Sequence, residues 1–128
     1  MGKVNGKANR QKGHNYERYL AKRFRSLGYT FCKTSRAASR VLDSCKVDLA
    51  FIPYNVQSKK VKATINYSEV FEEMQTTLEQ NYPPTAVERS NVKMIFHSKG
   101  KKPSEKYVVL QEEDMFKLLK KLQEAGNE

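Results

Sequence analysis

The stretch Lys46-Val47-Asp48-Leu49-Ala50-Phe51-Ile52-Pro53-Tyr54-Asn55-Val56-Gln57-Ser58-Lys59-Lys60 decides how this chain of 128 residues is read. Two runs rich in strand-forming residues flank Pro53-Tyr54, and a proline, with fixed φ and no backbone donor, suits a turn and not a central strand. The pattern predicts a hairpin. With a two-residue loop, position 52 faces 55, 50 faces 57 and 48 faces 59, and directly opposed side chains of an antiparallel pair share a face. Asp48, Gln57 and Lys59 are then expected on one side of the sheet, with Val47, Leu49, Phe51 and Val56 on the other, in the core. An acid on one strand, and an oxygen donor two residues before a lysine on the next, can hold a hard divalent cation beside an ammonium.

This arrangement resembles the PD-(D/E)XK nuclease superfamily and, within it, the Holliday junction resolvases of the archaeal and bacteriophage type. Asp48 matches the motif aspartate, Gln57 the D/E position and Lys59 the lysine. Val47 stands where the motif proline would be, and Gln57 where a carboxylate is usual; its amide oxygen can still ligate but carries no charge. Resolvases of this type open with a glycine and then a helix bearing Glu-Arg, matched by Gly13, Glu17 and Arg18. They also place a Ser/Arg-rich segment between the first two strands, beside the scissile phosphate, matched by Ser35, Arg36, Ser39 and Arg40.

The resemblance implies an α/β, single-domain, restriction-endonuclease-like fold: an αβββαβ core with a mixed central sheet flanked by helices. It implies Mg²⁺, with Mn²⁺ substituting, held by Asp48, Gln57, the Ser58 carbonyl and Glu17, the last directly or through water. Lys59 would steady the attacking water and the phosphoryl charge. Arg18, Ser35, Arg36, Ser39 and Arg40, joined by Lys12 and Lys60, would grip the DNA backbone. The expected substrate is a four-way junction, cut symmetrically by a homodimer because two opposing strands need two cuts.

Composition points the same way. The chain carries a net charge of +10 with a pI near 9.6, which suits an anionic partner such as nucleic acid. Residues 1 to 40 hold 11 Lys/Arg and one acid, Glu17, whereas residues 41 to 128 hold 13 of each sign, so the first third builds the basic surface. No apolar run approaches the roughly 20 residues that span a bilayer, and no apolar signal core opens the chain. A soluble, cytoplasmic protein without a membrane partner is expected, from a bacterial, archaeal or phage-infected cell. Cys32 and Cys45 lack metal or redox spacing and read as reduced, structural thiols. His14 and His97 form no ligand cluster and suit surface or strand-end roles.

Residues 1 to 12 have few apolar side chains and are expected to be a flexible basic arm, either a solvated tail or a phosphate-neutralising one. The domain proper is then 13 to 128. Tyr16, Tyr19, Leu20, Phe24 and Leu27 follow helical spacing, with Gly28 as the stop. On that helix Glu17 borders the apolar stripe, where it either complements the helix dipole or reaches the site. Tyr29 to Lys33 reads as a first strand and residues 34 to 40 as a loop. Asp43 either ligates a second ion or caps a turn. Asn66 with Glu69 resembles a capping box for a helix bearing Tyr67, Val70, Phe71, Met74 and Leu78, which Tyr82-Pro83-Pro84 then breaks. Residues 92 to 97 and 106 to 110 read as strands joined by the basic connector 98 to 103, a solvated tip or a DNA contact. Residues 111 to 125 form a last amphipathic helix that either closes the core or supplies a dimer face. Two rival functions fit the same residues. One is a nicking or flap-type repair nuclease of the same superfamily; the other is a non-catalytic basic nucleic-acid-binding module in which Gln57 marks a decayed site.

Overall fold

A computed structural model describes residues 6–81 and 92–126. The expected strand over 29 to 33 shrinks to its last residue, because the Cys32 N–H donates to the Tyr29 carbonyl at 3.0 Å and closes a turn. In chain order the elements are α1 (Gly6–Ser26), β1 (Lys33–Thr34), α2 (Ser35–Ala38), α3 (Arg40–Ser44), β2 (Leu49–Ala50) and β3 (Asn55–Lys60). They are followed by α4 (Tyr67–Asn81), β4 (Lys93–Ser98), a 3-10 turn (Pro103–Glu105), β5 (Lys106–Leu110) and α5 (Glu112–Gly126). The protein is thus mixed α/β.

Two ladders form. β1 and β2 pair antiparallel, with Lys33 beside Ala50 and Thr34 beside Leu49. β3, β4 and β5 make a mixed sheet in that order: β3 runs parallel to β4 with Asn55 beside Lys93 and Lys59 beside His97, and β4 runs antiparallel to β5. A parallel pair needs a crossover, and α4 supplies it. The Glu69 N–H donates to Asn66 Oδ1 at 3.1 Å, so the cap anticipated for this helix is made.

Helices cover both sides. Tyr16, Leu20 and Phe24 of α1 bury one apolar cluster against Leu49, Ile52, Val56 and Met94. Leu42 of α3 and Met74 of α4 bury a second against Cys45, Val47 and Ala50. Cys32 and Cys45 are buried free thiols, and burial raises the pKa of Cys32, which keeps such a thiol unreactive.

Three further expectations are corrected. Helix α1 begins at Gly6 and not at His14, so residues 6 to 12 are its exposed first turns; Met1 to Asn5 lie outside the described residues, as does Tyr82-Pro83-Pro84. The segment 34 to 40 is not an open loop: the Ser39 N–H returns to the Ser35 carbonyl and Ser39 Oγ accepts from the Leu42 N–H, starting α3. Phe51, expected in the core, is 61% exposed. It adopts φ 64°, a left-handed conformation uncommon for a bulky residue, and that twist throws its ring outward. No helix among the described residues is long and apolar enough to cross a membrane.

Candidate active site

The predicted hairpin does not form as a ladder: β2 pairs with β1 and β3 with β4, and one backbone bond joins the two runs. The Asp48 N–H donates to the Val56 carbonyl at 2.7 Å, so Asp48 lies alongside Val56 and Ser58 and not opposite Lys59. Its Oδ2 accepts from the Ser58 N–H at 2.7 Å and from Ser58 Oγ at 3.0 Å. Because a strand's N–H groups point along the sheet plane, the carboxylate sits at the lateral edge of β3. Val56 and Lys60 face α1, where Lys60 Nζ lies 5.7 Å from the Tyr16 ring centroid. By alternation Ser58 shares that face, and Gln57 and Lys59 take the other, beside Ile95 and His97. The connection runs from 51 to 54, longer than the two residues assumed, and Asp48 sits between two left-handed residues, Lys46 and Phe51, both with φ 64°.

Glu17, Asp48 and Lys59 nevertheless remain within electrostatic reach. Burial pushes the Asp48 carboxyl up to about 6; the Ser58 N–H opposes this, the Glu17 charge adds to it, and the Ser58 hydroxyl and the Lys59 ammonium oppose it. Glu17, 8% exposed, comes from the apolar border of α1. Its pKa is raised by burial against the opposing Arg36 guanidinium, with Asp43 adding to the rise. Asp43 is exposed on the first turn of α3, so its charge reaches the site although its side chain stands in water.

Arg36 Nη2 lies 3.1 Å from Glu17 Oε1 and 3.3 Å from Oε2. It therefore clamps the helix carboxylate while staying half exposed. Arg40 and Lys12 are exposed, and Arg18 is exposed with its guanidinium on Asn15. Ser35 departs from expectation. It is fully buried, and its hydroxyl has no hydrogen-bond partner among the described residues, so it cannot meet a phosphate in this conformation. Ser39 Oγ is engaged in capping α3.

Among the described residues no three His, Cys, Asp or Glu side chains group as a metal site. The available donors are two carboxylates, Glu17 and Asp48, with the Gln57 amide and the Ser58 carbonyl, all hard oxygens of the kind Mg²⁺ prefers. Asp48 Oδ1 takes no hydrogen bond among the described residues. The chemistry of this set fits a hard cation, although the register separates Gln57 from Asp48 more than a simple hairpin would.

Sequence reasoning missed His97. It is fully buried near the end of β4, with Nδ1 2.8 Å from the Tyr67 hydroxyl and Nε2 2.9 Å from the Val61 carbonyl. It ties the start of α4 to the chain leaving β3. Its place on an apolar strand was the available signal, and it suggested a strand end but not burial. Compared with known protein families, curated proteins and solved structures, the chain gives no match.

Proposed function

We propose that this protein is a Mg²⁺-dependent, structure-selective DNA endonuclease acting on four-way junctions. One observation carries the reading: a half-buried aspartate at a strand edge, pushed up to about 6, feels both the Glu17 charge and the Lys59 charge. Perturbed carboxylates beside a lysine are the kind of constellation that marks a functional site. At neutral pH such an aspartate is ionised and a cation relieves its repulsion with Glu17.

Asp48, the Ser58 carbonyl, the Gln57 amide and, through water, Glu17 would hold Mg²⁺. When bound, the ion would supply Lewis-acid polarisation of a phosphoryl oxygen. Lys59 orients the attacking water and meets charge as it grows on the phosphoryl oxygens, an electrostatic contribution that is largest in the transition state. Arg36 fixes Glu17 in place. Arg18, Arg40, Lys12 and Lys60 contact backbone phosphates, so binding weakens with added salt.

A homodimer is part of the proposal. Helix α5 leaves Met115, Phe116, Leu119 and Leu122 exposed, Leu122 by 70%. Its first turn is acidic, with Glu112 and Glu113, and Lys120 follows two turns later. Two copies packed antiparallel would bury the apolar stripe and set each acidic end against the other's lysine, the self-complementary contact a twofold axis requires.

Incubating a labelled four-way junction with and without Mg²⁺ tests the reading, and cleavage in the Mg²⁺ arm is expected. No cleavage, with retained binding, favours the second reading. That reading is a non-catalytic nucleic-acid-binding module, and it draws on the observation that both carboxylates already have protein partners, Glu17 with Arg36 and Asp48 with Ser58. Cutting of flap or nicked substrates in preference to junctions would point to a repair nuclease.

A further inference from the structure

A cleft of about 720 Å³ that does not include Asp48 lies between the early turns of α1, the end of β3 and the β4–β5 connector. Asn9 and Lys12 line it from α1, Lys60 and Lys62 from β3 and the residues after it, and Lys99 and Lys101 from the connector. Lys60 forms part of its floor, with Nζ 3.0 Å from Ser98 Oγ and over the Tyr16 ring. Lys62 and Lys101 are exposed. Among the described residues no acidic side chain lines the cleft. Glu105, whose carboxylate lies against Gly100, is committed to the Lys102 N–H. Five ammonium groups around one concavity repel one another, and a polyanion would relieve that repulsion.

We propose that this lysine cleft binds the phosphate backbone of a nucleic-acid duplex, with Lys62, Lys99 and Lys101 as contacts beyond those assigned to the candidate active site. The choice of nucleic acid rests on the proposed function; the anionic chemistry does not. Charge favours a duplex over a lipid surface: five lysines from three separate segments, α1, the end of β3 and the β4–β5 connector, surround one concavity, an arrangement suited to successive phosphates of a polyanion. The site is also concave, and Val61 is the one large exposed apolar side chain in its described lining, too little apolar surface to seat in a bilayer.

The test compares a Lys62→Ala/Lys99→Ala/Lys101→Ala variant with the parent, both carrying Asp48→Asn and free of metal, by fluorescence anisotropy on labelled linear duplex and four-way junction at several salt concentrations. Loss of three phosphate contacts should lower the slope of log affinity against log salt by about 2.7, near 0.9 per contact. Binding should weaken on both DNAs, with an unchanged melting temperature. An unchanged slope overturns the proposal. So does a loss confined to phosphatidylserine vesicles while DNA binding stays the same. If the slope falls but the wild-type chain never cuts a junction with Mg²⁺, the nuclease reading fails and the cleft stands.

Discussion

Asp48 Oδ2 accepts two hydrogen bonds from one residue, Ser58, from its N–H at 2.7 Å and its hydroxyl at 3.0 Å. Those bonds hold the carboxylate in place, yet burial and Glu17 still make it harder to ionise than in the unfolded chain, moving it from 3.8 to about 6. Between these values the folded state binds more protons, so stability falls as pH rises through that window. Asp48→Asn removes the penalty. The variant should be more stable than wild type at pH 7, by at most about 3 kcal/mol, and equal to it below about pH 4. Urea melts across pH measure this, and a less stable variant at pH 7 would contradict it.

The same variant, and Lys59→Ala, should abolish junction cutting while leaving junction binding within a few-fold. Full activity in either would remove that residue from the mechanism. Wild-type affinity for Mg²⁺ should also drop as pH falls through about 6, where Asp48 takes up its proton. Isothermal titration calorimetry on the metal alone reads this directly.

Gln57→Glu restores a charge at the position where the nuclease resemblance has a carboxylate. Metal-dependent cutting should be retained or increased. An inactive Gln57→Glu beside an unaffected Gln57→Ala would show that position 57 is not a ligand.

Breaking the Arg36–Glu17 pair strands a buried carboxylate. Arg36→Met should cost roughly 1–3 kcal/mol, less than a fully buried pair because Arg36 is half exposed. Adding Glu17→Gln should recover part of that loss. A double-mutant cycle by chemical denaturation gives the coupling, and a coupling near zero would mean the clamp is not energetic.

Phe116→Glu with Leu122→Glu should halve the mass seen by light scattering, leave the far-UV circular dichroism unchanged and remove any dependence of the melting temperature on concentration. A wild-type chain that is monomeric at micromolar concentration refutes the α5 interface.

Much of the architecture was legible in the pattern of side chains. The 3.6-residue spacing from Tyr16 to Phe24, the Asn66 cap, the strand over 106 to 110 and the amphipathic last helix all appear close to their expected places. The register around Asp48 was not legible. Asp48 lies between two left-handed residues, Lys46 and Phe51, and residue types that seldom adopt a left-handed φ give no warning of it. The segment 34 to 40 failed for a related reason: Ser and Arg are as common in loops as in short helical turns, and the Ser39 cap that decides the matter is a local contact. Glu17 and Asp48 come within electrostatic reach because α1 packs on β3 through Tyr16, Leu20 and Val56, a tertiary contact that helical spacing suggests but does not fix.

The Asp48 N–H joins the β1–β2 ribbon to β3 at Val56, and the same residue's carboxylate shields the Ser58 N–H. Hydrogen–deuterium exchange at the Ser58 amide is therefore a built-in reporter. Anything that draws the carboxylate away, whether proton or cation, should unmask that amide and make the seam between ribbon and sheet breathe faster, allowing occupancy to be followed without any substrate being cut.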